Sequence, residues 1–150
     1  MRPSFLTVFI LLALTTVLAA NAEELNRLYY VQYVQASDDK DHGHTAWKPI
    51  GPKLSRVLSP ALRWAYFWEV SRKRVKVSSG EFTRVTVSPD YELRLLLRPD
   101  AQLELVLYHR SEVRRRVVRS VNDEMVVLGG DLKNKDGWFV VVREDKPGSN

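Results

Sequence analysis

Two short stretches hold the side chains best suited to ligand chemistry. "DDKDHGHT" gathers Asp38, Asp39, Asp41, His42 and His44 within seven residues. Imidazole and carboxylate groups suit zinc, so Asp41, His42 and His44 are the candidate ligands of a metal-dependent enzyme if the backbone at Gly43 folds to bring them together. A structural site needs four ligands and a catalytic site three plus a water. The one other histidine is His109 and there is no cysteine, so a solvated loop is the preferred reading. The second stretch, "LRWAYFWEV", sets Trp64, Tyr66, Trp68 and Val70 at every second position. On a strand these share a face, and rings in a row could stack on sugars as a carbohydrate-binding platform. The opposite side carries Arg63, Ala65, Phe67 and Glu69. It is the more polar of the two, so the row is expected to face a core, with the platform as the alternative.

Two basic runs could engage an anionic partner, whether a phosphate-rich glycan, a lipid headgroup or an acidic protein. "SRKRVK" carries Arg72, Lys73, Arg74 and Lys76; "HRSEVRRRVVR" carries Arg110, Arg114, Arg115, Arg116 and Arg119. Binding through both requires the runs to fall on one surface, and Glu69, Glu112, Asp123 and Glu124 offset part of the charge. No aromatic residue interleaves "RRRVVR", so nucleic acid is not expected.

Other chemistry is poorly served. "DLKNKDG" has the look of a calcium loop, but with Gly137 as its sixth position the first and twelfth are Leu132 and Arg143, which are not ligands; Asn134 to Gly137 reads as a turn. No serine sits in a strand-turn-helix glycine motif. "LGG" at Leu128 to Gly130 precedes a loop, where a phosphate loop needs a helix. The expectation is a protein that is not an enzyme and uses no cofactor.

The elements that would position these groups are mostly strands. The first residues, "MRPSFLTVFILLALTTVLAANAEE", combine Arg2, an apolar run and a small-x-small site at Ala20 to Ala22. That is the pattern of a signal peptide spanning residues 1–22, cleaved near Ala22, with residues 23–150 as a single exported β domain. The chain has 150 residues, a formal net charge of +5 and no cysteine, which favours a bacterial periplasmic or extracellular setting over a disulfide-rich secreted one. After the leader no run is long enough to cross a membrane as a helix.

"LYYVQYV" (Leu28 to Val34) predicts a strand, Ala36 to Pro52 a loop, and "PKLSRVLS" a short helix with Pro52 at its first position and Leu54, Val57 and Leu58 on one face. Strands are predicted near residues 63–71, 74–77, 81–87, 92–98, 102–110, 113–119, 124–128 and 138–143, separated by "SSG", "SPD", "RPDA", "HRSE", "VND" and "GGDLKNKDG". One register follows from burial alone. A three-residue loop, Pro99 to Ala101, opposes Leu97 to Leu103 and Leu95 to Leu105, whereas a two-residue loop would set leucines against carboxylates. In "VRRRVVRS", Val113 and Val117 share a side with Arg115, and Val118 shares the other with Arg114 and Arg116. Charges on both sides suit an edge strand.

These readings combine into a mainly β protein: a small antiparallel sandwich, or alternatively a small barrel, with one short helix near its start. The expected role is a binding or assembly module of the cell envelope meeting a protein or anionic partner through an edge strand or the arginines. A carbohydrate-binding module and a metal-dependent enzyme are the alternatives.

Overall fold

A computed structural model describes residues 26–148. The leader expected over residues 1–22 lies outside them. The chain forms β1 (Asn26–Ser37), β2 (Lys48–Pro49), α1 (Pro52–Ala61), β3 (Tyr66–Ser78), β4 (Phe82–Ser88), β5 (Tyr91–Arg98), β6 (Gln102–His109), β7 (Glu112–Ser120), β8 (Met125–Asp131) and β9 (Gly137–Arg143). Two antiparallel sheets result, ordered β2-β3-β1-β9-β8 and β4-β5-β6-β7. They stack as a β-sandwich, and α1 covers part of the outer face of the first sheet. No barrel closes.

The core between the sheets comes from alternate residues. Leu93, Leu95 and Leu97 of β5 and Leu103, Leu105 and Leu107 of β6 meet Tyr29, Val31 and Tyr33 of β1 and Trp138, Val140 and Val142 of β9. The β5–β6 hairpin adopts the register that burial selects, Leu97 opposite Leu103 and Leu95 opposite Leu105. Ala101 closes its three-residue loop at φ 59°. A second core joins the other face of the first sheet to the helix through Val34, Ala36, Phe67, Phe139 and Val141 beneath Leu54 and Leu58. β9 is therefore buried on both faces, which is why "WFVVV" is apolar throughout.

Several element readings change in the structure. The strands expected at residues 63–71 and 74–77 are one continuous β3, and Lys48–Pro49 pairs with it inside the stretch read as loop. Helix α1 starts at Pro52 and buries Leu54 and Leu58, but Val57 is exposed, and Pro60 sits in the last turn. In β7 the register shifts between its Leu107 and Tyr108 pairings with β6. Arg114 is the extra residue, so Val113 turns to the side opposite Val117 and Arg115.

The C-terminal segment is pinned by charge. The Arg143 guanidinium, 2% exposed, hydrogen-bonds Asp145, which also accepts from Lys53 Nζ at 3.1 Å. The Arg143 hydrogen bond pulls the Asp145 carboxyl from 3.8 down to about 2, with partial desolvation opposing it and Lys53 adding to it. A carboxyl whose pKa is lower folded than unfolded stabilises the fold above about pH 4, and that contribution is lost as the pH falls through about 2. Asp145 is a third exposed, so screening reduces the contribution to about 1 kcal/mol. Asp145→Asn is expected to cost about 1–2 kcal/mol at pH 7 because it strands the buried guanidinium. Urea titrations at stepped pH should show this loss, and the variant's stability should fall less steeply than the parent's between pH 4 and 2.

Candidate functional site

The aromatic row does not stay on one face. Trp64 precedes β3 and packs with Phe67 in the core under the helix, its ring 5.5 Å from that of Phe139. Its indole N–H donates to the Lys135 carbonyl at 2.9 Å. Gly137 makes room for it: a Cβ there would lie 2.7 Å from the Trp64 ring. Trp68 projects from the opposite face of β3, and Tyr66 is 38% exposed. Trp64 lies before the strand begins, so two-residue alternation does not reach it, whereas Tyr66 and Trp68 keep that alternation, their rings stacked at 5.9 Å. Phe67, placed by alternation on the polar side, is core because α1 covers that face. A bulge follows, where pairing with β1 runs Tyr33 to Ser71 and then Val34 to Glu69 and leaves Val70 as an extra residue.

The Asp/His loop comes back over Trp68. His42 meets the Trp68 ring edge-on at 4.5 Å, and His42 and His44 stack on Trp47 at 5.0 and 3.9 Å. Local hydrogen bonds shape the loop. Asp39 Oδ1 accepts from the Asp41 N–H, Asp41 Oδ1 from the Gly43 N–H and His42 Nδ1 from the His44 N–H, while Asp38 Oδ1 accepts from the Ala65 N–H on the approach to β3. The first three are side-chain-to-backbone turns, each closing on the residue two positions ahead. The Asp41 and His42 side chains thus bond to the loop itself while the His44 ring stacks on Trp47, and among the described residues no group of three or more His, Cys, Asp or Glu is placed to share a metal ion.

Loop and strand enclose a cleft of about 450 Å³. It is lined by Trp68, Gln35 and Ser37, by the loop, and by Asn134 and Asp136 of the β8–β9 turn. That turn is held by the Leu132 N–H donating to the Asp136 carbonyl at 2.7 Å and by Asn134 Nδ2 donating to Asp136 Oδ2 at 2.9 Å. The "DLKNKDG" stretch is therefore a hairpin turn with Lys135 at φ 70°. Two stretches that look unrelated in sequence share one site here. Trp47 and Asp136 belong to it as well, and neither carries a sequence signal that points there.

The two basic runs lie at opposite sides of the sandwich. β3 sits near one end of the first sheet and packs against β4, whereas β7 is the terminal strand at the far end of the second. On β3, Arg72, Arg74 and Lys76 oppose Gln32, Tyr30 and Leu28 on the outer face, and Lys73 opposes Val31 on the inner. Arg72 is tied to Glu69 at 3.0 Å and to the Pro147 carbonyl at 3.2 Å.

β7 is exposed along almost its whole length and pairs with β6 alone. Arg114 reaches Glu112 at 3.7 Å, and Arg116 reaches Glu104, itself 8% exposed, at 3.4 Å. Arg115 and Arg119 make no ion pair among the described residues. Val113 and Val118 are exposed beside them. Among the described residues no helix is long and apolar enough to cross a membrane. Comparison with protein families, with curated proteins and with solved structures finds no match.

Proposed function

We propose that the chain is a non-enzymatic, exported binding module of the cell envelope that takes an acidic, extended protein segment as an added strand beside β7. The observation carrying this reading is the β7 edge itself. It offers nine residues of backbone with one side unpaired, and among the described residues its Arg115 and Arg119 have no carboxylate partner. Main-chain hydrogen bonds would supply affinity, and alternating side chains would supply selectivity. The arginines have a double effect. They repel a second copy of the same edge, which guards against self-association, and they attract a strand with carboxylates at alternate positions.

A short peptide alternating glutamate and valine is the probe. In amide NMR titrations it is expected to shift and protect β7, with affinity falling at least tenfold between about 50 and about 500 mM salt. The double change Arg115→Glu/Arg119→Glu is expected to abolish binding, and Arg74→Glu/Lys76→Glu on β3 to leave it intact. Salt-independent binding, or sensitivity to the β3 pair instead, would overturn the proposal. Anionic vesicles binding as tightly as the peptide would reassign the arginines to lipid headgroups.

A further inference from the structure

A second unpaired edge lies beside β7. β8 is the terminal strand of the first sheet, as β7 is of the second. Residues of both line a cavity of about 290 Å³, Arg114 and Arg115 from β7 and Gly129, Gly130 and Asp131 from β8, together with Leu107 and Trp138. The two edges therefore open on one side of the sandwich, but their chemistry differs. β8 carries no charge from Met125 to Gly130, no proline, and no bulge in its ladder with β9. Its one charged residue, Asp131, is paired with Arg63 at 3.0 Å. Among the described residues no turn or loop backbone bonds to this strand. An edge without blocking devices accepts another strand.

We infer, resting on the β7 reading, that the partner supplies two strands joined across the sandwich: an acidic one for β7 and an uncharged one for β8. Arg115 and Arg119 oppose Leu107 and Leu103, which are core residues, so both arginines lie on the interior side of their sheet. A strand that meets them sets its carboxylates on that same side, toward the place a strand beside β8 would occupy. With that place filled, the ion pairs are shielded from water and strengthened. The interior positions of the β8 strand suit threonine, whose hydroxyl can donate to a carboxylate and accept from a guanidinium. Its exterior positions suit valine, next to Met125 and Val127, which pack against the core under α1. A second copy of this chain is the poorer occupant. Pairing β8 with β8 would bring the β7 arginines of the two copies toward each other, and like charges oppose that.

The test compares the glutamate–valine peptide with a longer one, in which a four-residue glycine–serine linker joins it to a threonine–valine strand. Such a linker reaches about 11 Å, close to the roughly 10 Å between packed sheets. The joined peptide is expected to bind at least tenfold tighter than the glutamate–valine strand alone, because the second contact becomes intramolecular. In amide NMR of the unmodified protein it should shift β8 as well as β7, a readout that does not depend on any variant folding. Gly130→Lys sets an inward-pointing charge on β8, and a Cβ there meets nothing closer than 3.7 Å. This change is expected to remove the tenfold gain and to leave the glutamate–valine strand bound at least as tightly. Equal affinity of the two peptides with β8 amides unmoved would overturn the inference and leave the β7 reading standing. Binding of neither peptide would overturn both. Dimerisation of the protein in sedimentation equilibrium, lost in Gly130→Lys, would assign β8 to a second copy and overturn the inference alone.

Discussion

Gly129→Ala is expected to destabilise the protein by about 3 kcal/mol, at the upper end of what added core volume costs. Gly129 lies opposite Phe139 in the β8–β9 ladder. A Cβ there would sit 2.2 Å from Phe139 Cδ1 and 2.3 Å from the Trp138 carbonyl oxygen. A rotamer change could move the ring, but the carbonyl belongs to the backbone of β9, which is buried on both faces and cannot retreat. Gly130→Ala is the internal control. Its Cβ would meet the Trp138 indole at 3.7 Å, an ordinary contact, and its expected effect is within about 0.5 kcal/mol. Equilibrium unfolding in urea of the two variants should therefore separate neighbouring glycines by more than 2 kcal/mol, roughly the difference of those two estimates. Equal effects would mean that strand propensity, not the aromatic shelf, governs this position.

The same pair of glycines shows what a sequence can and cannot say about this fold. "LGG" stands out as glycines inside a strand, but their cause is a cross-strand partner that local pattern does not reveal: Phe139 lies over Gly129, and Trp138 over Gly130. The sandwich and the leucine hairpin were legible because alternation and turn spacing are local, and a register slip there would bury carboxylates. The aromatic row was not, because no local signal shows that β3 begins only at Tyr66, after Trp64, or that α1 covers the Phe67 face. The cleft was legible only in fragments. Trp68 and His42 each attract notice alone, and their meeting depends on Asp38 bonding to Ala65 and on the β8–β9 turn arriving from the end of the chain. The arginines of β7 read as an edge strand from charge on both sides, and the sheet order places β7 at an edge.

That edge is only as rigid as the strand it leans on, which makes β6 the place to perturb. Leu105→Ala is expected to cost about 3–4 kcal/mol, in the range for removing a fully buried leucine. Leu105 is completely buried, opposite Leu95 of β5 and Val117 of β7, so its loss leaves a cavity bordered by both neighbouring strands. Leu96→Ala on β5 offers the contrast. Leu96 opposes Glu104 and Phe82 on the outer face and should cost under about 1 kcal/mol. Urea midpoints with unchanged m-values would report the two costs as stability alone. A large Leu96 effect with a small Leu105 effect would mean the hairpin is shifted by one residue, because such a slip exchanges every side chain between faces. Under the observed register, the Leu105 cavity loosens Val117, the β7 residue anchored between Arg115 and Arg119. Amide exchange along β7 should then quicken in Leu105→Ala ahead of global unfolding, while β1 and β9, packed between two cores, keep their protection.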